Sequence, residues 1–332
     1  MSRKLRILVV GAGGIGCYYG IRLLQQGHDV HFVARGAHLE AIQNKGLVME
    51  HAECSFSGAV NACSFDEIIT DEKPSDFDFI FLTTKATSTQ SIAETLSEWF
   101  KASKSKTAVI SLQNGVDNEV ILSGLLGKDI IIGGLAIRIG GHIIRPGVIE
   151  AKGVAEIKMG VWPNEDSGVD NRFKTLLPQW VQIMNEAGIP TVVVENIQYE
   201  LWRKLAINNG VNPLSVLTGM DTFELSNHKS LGVFVYKMMQ ETAVAAQADG
   251  ITLTENDIEE MYQLICHFDP IKTSMLVDWE KQRTLEIDAI PGVVIQRAHK
   301  IQQEVPVTSL VYALIQQKIE SRLKKKSVDI PA

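Results

Sequence analysis

The chain has 332 residues, 45% of them hydrophobic and 21% charged, the balance of a folded globular protein whose length predicts two domains. With 39 Asp and Glu against 32 Lys and Arg the formal net charge is −7, the opposite of the basic excess of a nucleic-acid binder. Cys17, Cys54, Cys63 and Cys266 have neither C-x-x-C pairing nor histidines at ligand spacing, so free thiols and no metal are expected.

Arg3, Lys4 and Arg6 precede an uncharged run from Ile7 to Gly20 that superficially copies a secretory leader. Its fixed glycine spacing fits a nucleotide-binding strand better. Since no apolar stretch reaches the ~18 residues of a membrane span, a soluble, cytoplasmic protein with no membrane partner is expected.

Short apolar runs at Ile7–Val10, Val30–Val33, Phe79–Leu82, Ala108–Leu112 and Ile130–Gly133 predict strands buried on both faces. Between them, Ile15–Gln26, Ser88–Phe100 and Asp117–Leu125 suit helices. This alternation implies a parallel sheet in an α/β domain. Gly140–Val161 reads as short strand-like pieces extending the sheet in antiparallel fashion. A helix over Val169–Ala187 and a strand at Thr191–Val194 complete a first domain, residues 1–195.

Strand signals end after Glu195. Helices are predicted at Ile197 to about Leu217, Gly232–Ala248, Glu255–His267, Glu286–Glu304 and Ser309–Leu323, making residues 196–332 a helical second domain. Thr254 with Asp257 suggests a capping box, and Gly250 a helix stop. The basic run Arg322–Lys326 reads as a solvated last helical turn.

Gly11-Ala12-Gly13-Gly14-Ile15-Gly16 follows the first strand and opens a helix. In a G-x-G-x-x-G turn the first glycine permits the tight turn, the second lets backbone approach a pyrophosphate, and the third allows close helix–sheet packing. The helix N-terminus offers amide donors to the anion. The second strand ends Val33-Ala34-Arg35-Gly36, with Arg35 where an NAD enzyme places a carboxylate. Guanidinium pairs with a 2′-phosphate that a carboxylate would repel, so NADP(H) is favoured.

In the second half, Lys204, Asn208 and Asn212 recur every four residues and form one polar stripe on a helix. Lysine suits proton donation to a carbonyl oxygen that becomes alkoxide under hydride attack.

The segment Lys204-Leu205-Ala206-Ile207-Asn208 with Asn212-Pro213-Leu214, the glycine turn with Arg35, and Ser111-Leu112-Gln113-Asn114-Gly115 resemble the ketopantoate reductase (2-dehydropantoate 2-reductase) family. So do Thr273-Ser274-Met275-Leu276-Val277-Asp278 and Thr284-Leu285-Glu286-Ile287-Asp288-Ala289-Ile290, in family order, with Val305-Pro306-Val307 continuing the match. The resemblance implies a Rossmann-type doubly wound parallel sheet followed by an all-α domain like that of 6-phosphogluconate dehydrogenase. It implies Lys204 as general acid and Glu286 as the carboxylate contacting the substrate hydroxyl. Asn208, Asn212 and Ser274 would hold the substrate, Ser274 near its carboxylate, while Asn114 would lie beside the nicotinamide ribose and Lys85 near cofactor and substrate.

Three positions depart from the family pattern: Ser88 stands where a glutamine is frequent, and Thr222 and Ile271 stand where substrate asparagines are expected. These changes bear on the identity of the keto acid more than on the reaction class. The leading expectation is NADPH-dependent reduction of ketopantoate to pantoate for coenzyme A synthesis. The alternatives are a related NADPH-dependent reductase of another small 2-keto or 3-keto acid, and a catalytically silent NADP-binding regulator. A homodimer is compatible with the sequence, which does not fix the oligomeric state.

Overall fold

A computed structural model of the chain describes residues 3–163 and 172–328, in two compact units divided after Gln198. The first unit runs β1 (Arg6–Val10), α1 (Gly14–Gln25), β2 (Asp29–Val33), α2 (Gly36–Lys45), β3 (Leu47–Glu50), β4 (Phe56–Gly58), β5 (Asn61–Cys63) and α3 (Phe65–Asp71). It continues through β6 (Phe79–Leu82), α4 (Thr89–Ser103), β7 (Ala108–Ser111), α5 (Asn118–Leu126), β8 (Ile131–Arg145), β9 (Val148–Val161), α6 (Arg172–Glu186) and β10 (Thr191–Val193).

All these strands lie in one sheet of order β4-β3-β9-β8-β7-β6-β1-β2-β5, with β10 beside β9. The central strands β8, β7, β6, β1 and β2 are mutually parallel. Ile7, Val9, Phe79, Phe81, Ile110 and Ile132 are buried in the sheet's core, packed with Trp180 and Met184 of α6. Such uninterrupted apolar runs mark strands covered on both faces. From β1 the chain steps outward to β2, and from β6 onward it builds the other way, so the topological switch lies between β1 and β6. Ligands of open α/β sheets bind outside the carboxyl ends of the strands at such a point.

The short pieces expected between Gly140 and Val161 are instead continuous. β8 and β9 form one antiparallel hairpin paired from Ile132 with Val161 to Arg145 with Val148, irregular at Ile137/Ile139 and Ile143/Arg145. The glycines that read as breaks serve close packing. A Cβ on Gly14 would stand 2.0 Å from the Gly141 carbonyl carbon, so α1 lies directly on β8. The predicted α6 helix begins, within the described residues, at Arg172; its expected start at Val169 lies outside them.

The second unit contains most of α7 (Ile197–Thr218), then α8 (Thr222–Asn227), α9 (Gly232–Ala246), α10 (Glu255–Cys266), α11 (Ser274–Glu280), α12 (Val293–Lys300) and α13 (Pro306–Val328). The Thr254–Asp257 capping box is present, and Gly250 takes the left-handed conformation that ends the preceding turn. Two expectations are corrected. The continuous helix over Glu286–Glu304 is a π turn, Asp288–Gly292, followed by the shorter α12. Pro291 has no N–H to give the Ile287 carbonyl, which accepts instead from Gly292 N–H at 2.8 Å, an i→i+5 bond. Arg322 is not simply solvated: it covers the Trp279 ring and donates to the Trp279 carbonyl at 2.8 Å.

Among the described residues no helix is long and apolar enough to cross a membrane, and no cluster of His, Cys, Asp and Glu could hold a metal.

Candidate functional site

In the first unit the glycine-rich turn sits at the carboxyl end of β1. Gly11 has φ +110°, and a Cβ there would meet Thr84 of the turn after β6 at 2.9 Å, so only glycine is tolerated. A Cβ on Gly16 would stand 2.3 Å from the Gly11 carbonyl oxygen, while at Gly13 nothing lies within 4 Å. The turn is therefore tight where it touches protein and open where a ligand would approach. Gly11 and Ala12 amides bond Val33 O at 3.2 and 2.9 Å, leaving the first amides of α1, at Gly14, Ile15 and Gly16, without intrahelical acceptors. Geometry and dipole together suit a pyrophosphate.

Two side chains unread in the sequence brace this turn. The Thr83 hydroxyl donates to Gly11 O at 2.8 Å. His38 Nδ1 accepts from Gly147 N–H at 3.1 Å, which leaves Nε2 to donate to Ala12 O at 2.8 Å. Burial lowers the His38 pKa, the bond to Ala12 opposing it, so the neutral imidazole persists at neutral pH. Neither residue stands in a recognisable motif.

Arg35 is the exposed N-cap of α2, directly beyond β2, at the strand end where dinucleotide folds meet the adenosine ribose. Lys85, exposed, follows β6, and Asn114, half-buried, follows β7. The first unit thus gathers Gly11–Gly16, Arg35, Lys85 and Asn114 at the carboxyl ends of β1, β2, β6 and β7.

In the second unit Lys204, Asn208 and Asn212 lie on α7 as the spacing predicts, the first two half-buried and Asn212 buried. The intervening Asn209 has a different job. Its Nδ2 faces Thr242 Oγ1 at 3.0 Å, Thr308 Oγ1 at 3.2 Å and Met238 O at 3.3 Å, tying α7 to α9 and α13. Lys204 is not sealed from solvent, yet the surrounding protein desolvates its ammonium and pulls its pKa down to about 8, against the opposing field of Glu286. Glu286 is itself only 4% exposed and stands two residues before the π turn, a distortion common at functional sites.

Ser274 is the exposed first residue of α11. Its place is set from α7: the Ser215 hydroxyl donates to Asn212 O at 2.8 Å and so accepts from Thr273 Oγ1, whose oxygen caps α11 at Leu276 N–H. The polar stripe, the α11 start and Glu286 are therefore features of the same unit. Thr222 and Ile271, the two departures from the substrate pattern, are neighbours: Thr222 N–H donates to Ile271 O at 3.1 Å. Thr222 is buried, whereas the Ile271 side chain is 55% exposed. Ser88, the third departure, sits half-buried three residues beyond Lys85.

Family models cover both units: ketopantoate reductase PanE/ApbA over residues 7–164 and its C-terminal counterpart over residues 196–319. The 2-dehydropantoate 2-reductase of Pyrococcus horikoshii is 30% identical over 315 residues, 95% of this chain and 97% of that protein. The chain belongs to the ketopantoate reductase family. It is accordingly an oxidoreductase of the class acting on CH–OH donors. A solved 2-dehydropantoate 2-reductase from Methylococcus capsulatus matches this family member with TM-score 0.78 and 30% identity, over 96% of this chain and 97% of that one. A D-mandelate dehydrogenase solved with NADH and anilino(oxo)acetate shares the fold at TM-score 0.84 and 22% identity, over 96% and 99% of the two chains. The α/β unit followed by an all-helical one is the architecture of these ketopantoate reductase structures.

Proposed function

We propose that this member of the family reduces 2-dehydropantoate (ketopantoate) to pantoate with NADPH, a step of pantothenate and coenzyme A biosynthesis, in the cytoplasm and without nucleic-acid or membrane partners. The observation that carries the reading is Lys204, a desolvated ammonium at the head of an amide stripe and within the field of a buried carboxylate, Glu286. A pKa near 8 keeps the ammonium charged at neutral pH yet makes it a better proton donor than an ordinary lysine.

The first unit's residues fit a dinucleotide. The amides of Gly14, Ile15 and Gly16 would take the pyrophosphate, approached over the open face at Gly13. Arg35 would pair with the 2′-phosphate and so select NADPH over NADH, and Lys85 and Asn114 would meet the nicotinamide end. The cofactor, when bound, supplies the hydride for the C2 ketone. Lys204 donates its proton to the ketone oxygen as negative charge develops there, and its charge stabilises that oxygen before transfer. Glu286 accepts the hydrogen bond of the resulting hydroxyl, Asn208 and Asn212 orient the polar edge of the substrate, and Ser274 holds its carboxylate.

A second reading, reduction of a more apolar 2-keto acid, is favoured by one observation. Where amides are expected stand Thr222, buried, and Ile271, exposed, whose side chains each end in methyl carbon and whose backbones are joined by a hydrogen bond. NADPH oxidation measured against a panel of 2-keto acids decides between them. The first reading expects the highest kcat/KM with ketopantoate, and the second expects an apolar analogue to exceed it. No turnover with any 2-keto acid would overturn both and favour a silent NADP-binding protein.

A further inference from the structure

Next to the switch point, the turns after β6 and β7 are joined by a ring of buried side chains closed through backbone carbonyls. The Gln113 side chain, 2% exposed, points its Nε2 at Thr84 O (3.0 Å), Thr84 Oγ1 (3.2 Å) and Thr89 Oγ1 (2.8 Å). Lys85 O stands farther off, at 3.4 Å. Two backbone carbonyls among these acceptors fix which end of the amide faces them. The Thr89 hydroxyl accepts from Gln113, and so its own hydrogen goes to Asn118 Oδ1 at 2.8 Å. Asn118 Nδ2 in turn donates to Asn114 O at 2.8 Å, one residue from where the ring began. Along this path the donors run one way, Gln113 to Thr89 to Asn118 to Asn114 O, while Gln113 Oε1 is buried without a hydrogen-bond partner; Thr89 and Asn118 are buried with Gln113.

The ring spans four elements. It starts on the turn after β7, grips the backbone on either side of the Thr84–Lys85 peptide, passes through the first residue of α4 and the first residue of α5, and returns to the Asn114 carbonyl. Without it, two independent loops would carry Lys85 and Asn114. With it, a displacement of either loop breaks a buried hydrogen bond at the other, which costs more than an exposed one because the abandoned group stays out of water.

We propose that Gln113, Thr89 and Asn118 are positioning residues that lock the Lys85 and Asn114 turns in mutual register, so that both address one cofactor. The proposal rests on the reading of Lys85 and Asn114 as residues of the nicotinamide side. The side chains of all three are buried, so each would act through the backbone that carries Lys85 or Asn114.

Thr89→Val keeps the side-chain shape and removes the hydroxyl that both accepts and donates, whereas Thr89→Ser keeps the hydroxyl. In the full-length protein NADPH affinity would be followed by fluorescence titration, and amide hydrogen exchange would be read over residues 84–86 and 114–116. For Thr89→Val the ring predicts faster exchange in both turns and NADPH binding weakened about tenfold, with Thr89→Ser near the parent protein on both counts. Exchange at Gly11–Gly13, braced by Thr83 and His38 instead, should not change. Thr89→Val binding NADPH within twofold of the parent, with exchange at 114–116 unaltered, overturns the proposal.

If Thr89→Val does not fold, Asn118→Asp tests the last link alone. It keeps the acceptor for Thr89 and loses the donor to Asn114 O, so exchange should rise most at 114–116 and less at 84–86, which the Gln113 bonds still hold. Faster exchange in neither turn refutes the ring. Loss of NADPH binding by the parent protein would refute the cofactor reading instead, and the exchange data would still decide whether the two turns are coupled.

Discussion

Glu119, in the first turn of α5, is fully buried, and neither carboxyl oxygen makes a well-formed hydrogen bond; the Ser111 hydroxyl beside it is in the same position. Burial pushes its pKa from 4.5 up to about 7, offset only in part by its own amide and by Ser111, with Asp117 pushing it further up. A folded-state value above the unfolded one means that between the two the native protein holds a proton the unfolded chain has released. Stability from this group is therefore full below about pH 4.5, falls as pH rises through about 7, and is flat beyond. A shift of 2.5 units, from 4.5 to about 7, corresponds to about 3 kcal/mol at most, at ~1.4 kcal/mol per unit.

Glu119→Gln keeps the shape, cannot ionise and brings an N–H₂ toward Ser111. Urea unfolding at a series of pH values from 5 to 8 should show the variant's advantage over the parent growing by about 1–3 kcal/mol between pH 5 and pH 8. Parallel pH profiles with no gain at pH 8 would show that Glu119 is ionised at no cost in the folded protein, and the burial argument would fail.

Arg35→Asp should weaken NADPH binding by about tenfold to a hundredfold, the value of a charge-assisted pair, while NADH binding holds or improves. Equal weakening of both in a fluorescence titration removes Arg35 from the 2′-phosphate. The Lys204 pKa of about 8 predicts a basic limb in the rate profile. Because the proton-donating form is lost as pH rises through that value, kcat/KM should fall above about pH 8. A profile level to pH 10 would mean that Lys204 is not the acid.

The glycine turn, the strands around the switch point and the α7 stripe were legible in the sequence because each has a strict local signature: apolar runs, a fixed glycine spacing, and polar residues four apart. Residues 36–71 were not. There α2, β3, β4, β5 and α3 carry short mixed patterns, and β4 and β5, three residues each, join the sheet through long-range pairing. Glycines 140 and 141 read as punctuation, though Gly141 is the point where α1 rests on the hairpin. The π turn after Glu286 follows from a single missing N–H at Pro291. Its sequence signal was present, but a proline within a helical stretch predicts a break more readily than a widened turn.

The site divides in the same way. Lys204, Asn208 and Asn212 could be picked out by spacing, but Asn209 beside them is indistinguishable in sequence and proves to be a packing residue. Glu286 and Ser274 have no local signature and were reached only through the family resemblance. His38, Thr83, Thr89 and Asn118 act through backbone atoms of distant turns, a relation that no spacing encodes. A glutamate in the apolar stretch Asn118-Glu119-Val120-Ile121-Leu122 is the one hint of the buried carboxyl.

The central claim is that Lys204 supplies the proton to the reduced ketone. Replacing it tests that claim when turnover, NADPH affinity and thermal melting are measured on one preparation. Lys204→Ala should lower kcat by roughly 10²–10⁴-fold, the usual range for a positioned acid, with NADPH affinity and melting temperature close to the parent. Glu286→Gln should lose activity in the same assay while remaining folded. A Lys204→Ala protein that turns over ketopantoate or another 2-keto acid at near the parent rate would contradict the account.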